Sequence, residues 1–331
     1  MINKSISSRV KSFKSISAYA HYLLMLSGII LASCSGGDAG SPGTNNPSAR
    51  PLNLGADNAV DVATLSLVET EALAEAIYIV MEEIDINPPT VGIDVVNCTD
   101  GGTETTEFRD NDNSMSLTSG DNIIGSDAAC QEGSAASDGE IRINLLASTN
   151  PSANRYVGEF IFDNTVFSFD GIDVALDGGA NFEVEFFVGI ATFLSVSTLE
   201  GGITISVGAS GSPSSTTETI TIRNLEREIN ASGDLLLGMN VEFESETLGG
   251  RFTLATGSSL SSLAGEAPSG GSIILSGDDN SAIRITGNSG VTNPRTNIAI
   301  DEDGNGSFEI VLSSPPTWVD IMGSGFLVGL P

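Results

Sequence analysis

The chain has 331 residues, with 43 acidic side chains against 13 basic ones and a single histidine, for a formal charge of −30 at neutral pH. A field of that size repels nucleic acid and anionic lipid surfaces, which removes both as partners. One imidazole also leaves little material for histidine-based catalysis or metal binding.

Residues 1–33 have the layout of a secretory signal. Lys4, Arg9, Lys11 and Lys14 form a basic start, and no acidic residue occurs before Asp38. An apolar run from Tyr22 to Ala32 follows. It is far shorter than the roughly 20 residues a membrane-spanning helix needs. The run ends in Leu31-Ala32-Ser33-Cys34, which resembles the lipobox of bacterial lipoproteins. The resemblance implies diacylation (palmitate-type) of the Cys34 thiol and cleavage before it, leaving a lipoprotein anchored by chains on one cysteine. Ser35 rather than Asp after that cysteine implies sorting to the outer membrane. An exported, lipid-anchored protein is therefore expected.

Loss of residues 1–33 takes four of the 13 basic residues and none of the 43 acidic ones, leaving a formal charge of −34 over 298 residues. His21 leaves with the signal, and all nine remaining basic residues are arginine. Without histidine there is no Ser-His-Asp triad, Cys-His dyad or His-ligated metal, and without lysine no Ser–Lys pair. No spacing singles out a pair of catalytic carboxylates. A non-enzymatic protein is expected.

Residues 34–60, rich in Gly, Ser, Pro and Asn, read as a flexible tether, and 61–331 as one β-rich domain. Its first element is a helix near 66–85. Leu73, Ala76, Ile77, Val80 and Met81 form one apolar face, Ser66 with Glu69 reads as a capping box, and Pro88-Pro89 ends the segment. Glu69, Glu71, Glu75, Glu82 and Glu83 argue against membrane contact, so the stripe should pack on the sheet. Cys98 and Cys130 are the two cysteines left once Cys34 is lipidated, and in an oxidising compartment they should form a disulfide.

Beyond residue 90 the hydrophobic period falls to two. Ile203, Ile205 and Val207, then Ile220 and Ile222, Val241 and Phe243, Ile283 and Ile285, and Phe308 and Ile310 alternate with polar residues. Glycine pairs such as Gly178-Gly179, Gly201-Gly202 and Gly270-Gly271 read as turns between short strands. The expected class is mainly β: a large antiparallel sheet, as a sandwich, a curled sheet or an open barrel, with one N-terminal helix. A membrane barrel fits poorly, because Trp 1, Tyr 4 and Phe 14 supply too few aromatics for two girdles and Gly323–Pro331 lacks a terminal one.

Two acidic stretches have the spacing of calcium loops. Asp110, Asp112, Ser114, Ser116, Thr118 and Asp121 occupy positions 1, 3, 5, 7, 9 and 12, but position 6 is Met115, where the turn favours glycine. Asp301, Asp303 and Asn305-Gly306 begin a second loop whose position 12 is Leu312, so its closing carboxylate is missing. A solvated hairpin is the plainer reading of both, and Asn305-Gly306 is itself a strong hairpin signal. Trp318, after Pro315-Pro316, reads as a cap on the core rather than a ligand platform.

The ordered units Asn97-Cys98-Thr99-Asp100-Gly101-Gly102, Ser119-Gly120-Asp121, Cys130, Asp138-Gly139-Glu140-Ile141, Gly249–Thr256, Ala267–Ile273 and Asp301–Glu309 resemble the uncharacterised β-rich secreted lipoproteins of proteobacteria. The likeness spans roughly residues 97–320 and is a pattern of spaced turns. It implies a β-rich extracytoplasmic domain and transfers no functional residue. The expected role is structural or interactive at the cell envelope, with an envelope protein as partner. The alternatives are a carrier for a hydrophobic ligand, held between a curled sheet and the helix, and a calcium-dependent adhesion module.

Overall fold

A computed structural model describes residues 50–321 apart from 134, 150–153, 170, 188–189, 211–214, 231, 264–266, 288–294 and 319. Cys34, the signal, the start of the tether and Gly323–Pro331 lie outside the described residues. Among the described residues the main elements, besides a 3-10 turn at Asp278–Asn280, are one long α-helix, α1 (Ala59–Ile86), and fourteen strands. These are β1 (Gly92–Asn97), β2 (Gly101–Arg109), β3 (Asn122–Glu132), β4 (Ala135–Thr149), β5 (Asn154–Phe169), β6 (Ile172–Phe187) and β7 (Ile190–Ala209). The second half comprises β8 (Ser215–Ile229), β9 (Leu235–Ser245), β10 (Gly250–Ser262), β11 (Gly270–Ser276), β12 (Ala282–Thr286), β13 (Asn297–Asp301) and β14 (Ile310–Val311).

All fourteen strands join one antiparallel sheet in sequence order, with β1 and β14 as its edges. Of the three shapes compatible with alternating strands, the chain adopts a single unclosed sheet in a plain meander. The alternation is cleanest in β9, where Leu235, Leu237, Met239, Val241, Phe243 and Ser245 are buried and the residues between them are not. Ile203, Ile220, Ile222, Ile283 and Ile285 are also buried. At the far edge the expected strand around Phe308 shrinks to Ile310–Val311.

Several glycine pairs expected to be turns lie inside strands instead. Gly178-Gly179 sits within β6 and Gly201-Gly202 within β7. Every ladder from β2/β3 to β8/β9 carries a register shift. An extra residue bends its strand and sharpens the local twist, so consecutive bulges curl the whole sheet. Glycine is required where neighbouring bulges meet: a methyl group on Gly139 (φ +112°) would stand 2.4 Å from the Asn164 carbonyl oxygen.

Helix α1 fills the concave side. The seven successive residues Leu65–Glu71 are all buried, and seven residues make about two helical turns, so the middle of the helix is enclosed on every side. The apolar stripe from Leu73 to Met81 packs as expected, against β6, β7 and β8. Arg227 of β8 donates to Glu75 at 2.8 Å, and Tyr156 of β5 donates to Asp85 at 2.8 Å.

Two expectations about the N-terminal side are corrected. The helix starts at Ala59, so Ser66 is interior and its hydroxyl donates back to the Val62 carbonyl at 2.7 Å. There is no capping box, because the apolar Ala59–Leu65 segment finds core to pack against and extends the helix. The tether does not run to residue 60 either. Leu52 donates to the Arg251 carbonyl at 2.7 Å and accepts from Asp278 at 2.7 Å, and Leu54 is fully buried. At the other end Trp318 is buried in the core, as a cap should be. Among the described residues no helix is long and apolar enough to cross a membrane.

Candidate functional site: two aspartate loops and a buried carboxyl cluster

Cys98, just after β1, is bonded to Cys130 in β3, with their Cα atoms 5.5 Å apart. The expected disulfide therefore forms, and it ties the first hairpin to its neighbour. In a meander the β2–β3 and β13–β14 connections lie at opposite ends of the strands. Those two connections are the aspartate loops.

The first loop follows β2. Asp110 Oδ1 accepts from the Ser114 amide at 3.1 Å and its Oδ2 from the Met115 amide at 2.7 Å, while Asp112 Oδ1 accepts from the Ser114 amide at 2.9 Å. Asp121 is buried and accepts from the Asn111 and Thr118 amides at 2.9 and 2.7 Å. Carboxylate oxygens of Asp110, Asp112 and Asp121 lie within 4.8 Å of one another. Ser114 Oγ donates to the Ser116 carbonyl at 2.9 Å. Met115 occupies the glycine position of a calcium loop and takes the left-handed conformation that position requires, φ +59°. Hydrogen bonds from Ser114 and then Thr118 hold the Asp112 carboxyl down at about 2.

The second loop repeats the three bonds made by Asp110 and Asp112. Asp301 Oδ1 accepts from the Asn305 amide at 3.1 Å, its Oδ2 from the Gly306 amide at 2.7 Å, and Asp303 Oδ1 from the Asn305 amide at 3.2 Å. The sixth residue, Gly306, again has positive φ, +86°. Asn305-Gly306 is thus the middle of an eight-residue connection and not a two-residue hairpin turn. The carboxylate missing at position 12 is supplied earlier, at position 9, where Glu309 joins Asp301 and Asp303 within 4.8 Å. Its signal was present in Asp-x-Asp-x-Asn-Gly-x-x-Glu. In both loops the donors are carboxylate, hydroxyl, amide and carbonyl oxygens, a set that suits calcium rather than zinc.

Three buried carboxyls inside the domain were missed, because α1 reads as one-sided and its glutamates as its wet face. Glu69 and Glu71 of α1 and Glu218 of β8 are 7%, 7% and 3% exposed. Glu218 Oε1 accepts from the Thr247 amide at 3.1 Å. Glu218 Oε2, Glu69 Oε2 and Glu71 Oε1 are buried with no hydrogen-bond partner. Burial, and then the nearby Glu218 charge, pushes the Glu69 carboxyl well above the usual range. Burial raises Glu71 to about 7 against the opposing pull of Arg227. Glu71 is therefore a neutral acid in mildly acidic solution, since an unpaired carboxylate in such a place is strongly disfavoured.

Compared with known protein families, characterised proteins and solved structures, the chain matches none of them.

Proposed function

We propose that the chain is an exported lipoprotein, held at the outer membrane through lipid on Cys34, whose β domain acts by contact with other envelope components and not by catalysis. One observation carries this reading: Cys98 and Cys130 are joined to each other. A structural disulfide fits an oxidising compartment. It also leaves Cys34, in its lipobox-like run, as the one cysteine of three outside that bond. Metabolic labelling with radioactive palmitate, followed by membrane fractionation, tests the anchor. The wild-type chain should be labelled and sediment with outer membranes, while Cys34→Ala should be unlabelled. An unlabelled wild-type chain in the soluble fraction overturns it.

A second reading, calcium binding as a structural support for adhesion, is favoured by the shared wiring of the 110–121 and 301–309 loops. The two loops would stiffen opposite ends of the sheet. Its test is a calcium-dependent melting temperature.

A further inference from the structure

We infer that the free edge of β1 is a docking edge for an extended, basic strand of another protein, which would add to the sheet as a fifteenth strand. The inference rests on the reading of the domain as an interaction module and names the partner's chemistry.

The sheet's own pattern breaks at β1. In most strands apolar side chains face the core and polar ones face water. The β1–β2 register pairs Ile93 with Glu107, Val95 with Thr105, Asp94 with Thr106 and Gly92 with Phe108. Phe108 is buried in the core, so Gly92 and Asp94 lie on the inner side of the sheet. Ile93 and Val95 are on the outer side, because successive side chains alternate. β1 therefore turns two apolar side chains, Ile93 and Val95, outward, while its inner side carries Gly92, Asp94 and Val96. Val91, Ile93 and Val95 are 53%, 67% and 58% exposed, and all six residues of β1 are exposed.

The backbone is open as well. Among the described residues β1 has a ladder with β2 alone, so its other side presents unpaired amide and carbonyl groups. Pro88-Pro89 before it and the Cys98 disulfide after it fix its ends and hold it as a strand. A preformed edge with an apolar stripe is the arrangement used in β-augmentation, where backbone bonds give affinity and alternate side chains give selectivity.

Charge selects the occupant. A second copy would bring −34 against −34 and a second Asp94 to the same edge, which disfavours self-pairing. A residue directly opposite Asp94 on an added strand points to the same side as Asp94, and its neighbours point to the side of Ile93 and Val95. The fitting segment therefore places Lys or Arg opposite Asp94, with apolar residues on either side of it.

The test uses the full-length lipoprotein in living cells, with a photo-crosslinking phenylalanine replacing Ile93 or, as a comparison, exposed Leu236 of β9. The expected result is an Ile93 adduct mapping to a segment of another protein with a basic residue between apolar ones. Its yield should drop about tenfold with Asp94→Lys and with Val95→Asp, as like charge and lost apolar contact both oppose docking. Both substitutions are at exposed positions, and an unchanged melting temperature shows the fold is kept. An adduct between two copies of the chain, or with a segment lacking basic residues, overturns the assigned chemistry. Adducts from Leu236 and none from Ile93 overturn the docking edge while leaving the interaction reading in place. Adducts from neither position overturn the docking edge and remove support from the interaction reading together.

Discussion

Glu71 reverses the usual relation between acid and stability. Its carboxyl moves from an ordinary value of 4.5 up to about 7 in the folded chain, so the native state holds the proton more tightly than the unfolded one. The stability it permits is fully present below about pH 4.5 and is lost as pH rises through about 7. A rise of that size corresponds to about 3 kcal/mol, and Glu69 acts in the same direction. Asp112, held at about 2, works oppositely: its contribution is present above its ordinary 3.8 and is lost as pH falls toward 2. The domain should therefore melt at a higher temperature at pH 5 than at pH 8 and weaken only in strong acid. Glu71→Gln should raise the pH 8 melting temperature and flatten the profile between pH 5 and 8. A series of melts followed by circular dichroism decides this, and a wild-type profile that rises from pH 5 to pH 8 would count against it. The stripe from Leu73 to Met81 was legible in the sequence because a 3.6-residue period is a local property. The burial of Glu69 and Glu71 was not, because what covers the opposite face of α1 is set by strands more than a hundred residues away.

At the level of elements, strands were readable and their interruptions were not. Alternation names the buried residues of β9 or β12 from a window of a few residues. A glycine pair signals a turn or a bulge equally well, and only the neighbouring strand's backbone distinguishes them. Gly139 and Gly171 show the difference. Both have positive φ, but a methyl on Gly139 would meet the Asn164 carbonyl at 2.4 Å, whereas one on Gly171 meets nothing within 4 Å. Gly171→Ala should therefore lose roughly 1–2 kcal/mol from left-handed strain alone. Gly139→Ala should lose roughly 2–4 kcal/mol, since the bulge must shift too; urea unfolding of both variants measures it, and equal losses would show that the bulges are not tightly nested. The aspartate loops were half legible for a similar reason. Position 6 holds Met115 where glycine is expected, but the carboxylate of Asp110 accepts from that residue's amide and supports the left-handed turn. If the loops hold calcium, ten times the dissociation constant should stabilise the domain by about 1.4 kcal/mol per site. The melting temperature should then rise by several degrees in millimolar calcium and return with a chelator. Asp110→Ala and Asp301→Ala should each remove part of the rise, and an unchanged wild-type melt would refute the reading.

For the whole molecule, composition fixed the class but not the number of layers. Each strand in a sandwich and in a curled sheet has one wet side, so a period of two cannot tell them apart; here the strands form one sheet, and α1 packs on its middle strands β6, β7 and β8. The same composition governs how the fold responds to salt. Among the described residues the ion pairs Arg155–Glu183, Arg223–Glu242 and Arg251–Glu244 are substantially exposed, and Arg227–Glu75 is the sheltered one. Exposed pairs contribute about 0–1 kcal/mol each and lose that in salt. Against them stands the self-repulsion of a chain whose residues 34–331 carry nine arginines and 43 carboxylic side chains, which folding concentrates into a small volume. Salt shortens the reach of that repulsion from about 30 Å at 0.01 M to about 8 Å at 0.15 M. Repulsion among many charges outweighs a few weak pairs, so sodium chloride should stabilise the domain, with most of the gain complete by about 0.3 M, where the screening length is shorter than typical charge spacings. Melting curves at pH 8 in increasing sodium chloride measure the effect. A melting temperature that falls with salt would mean that the exposed arginine pairs hold the sheet together more strongly than the net charge pushes it apart.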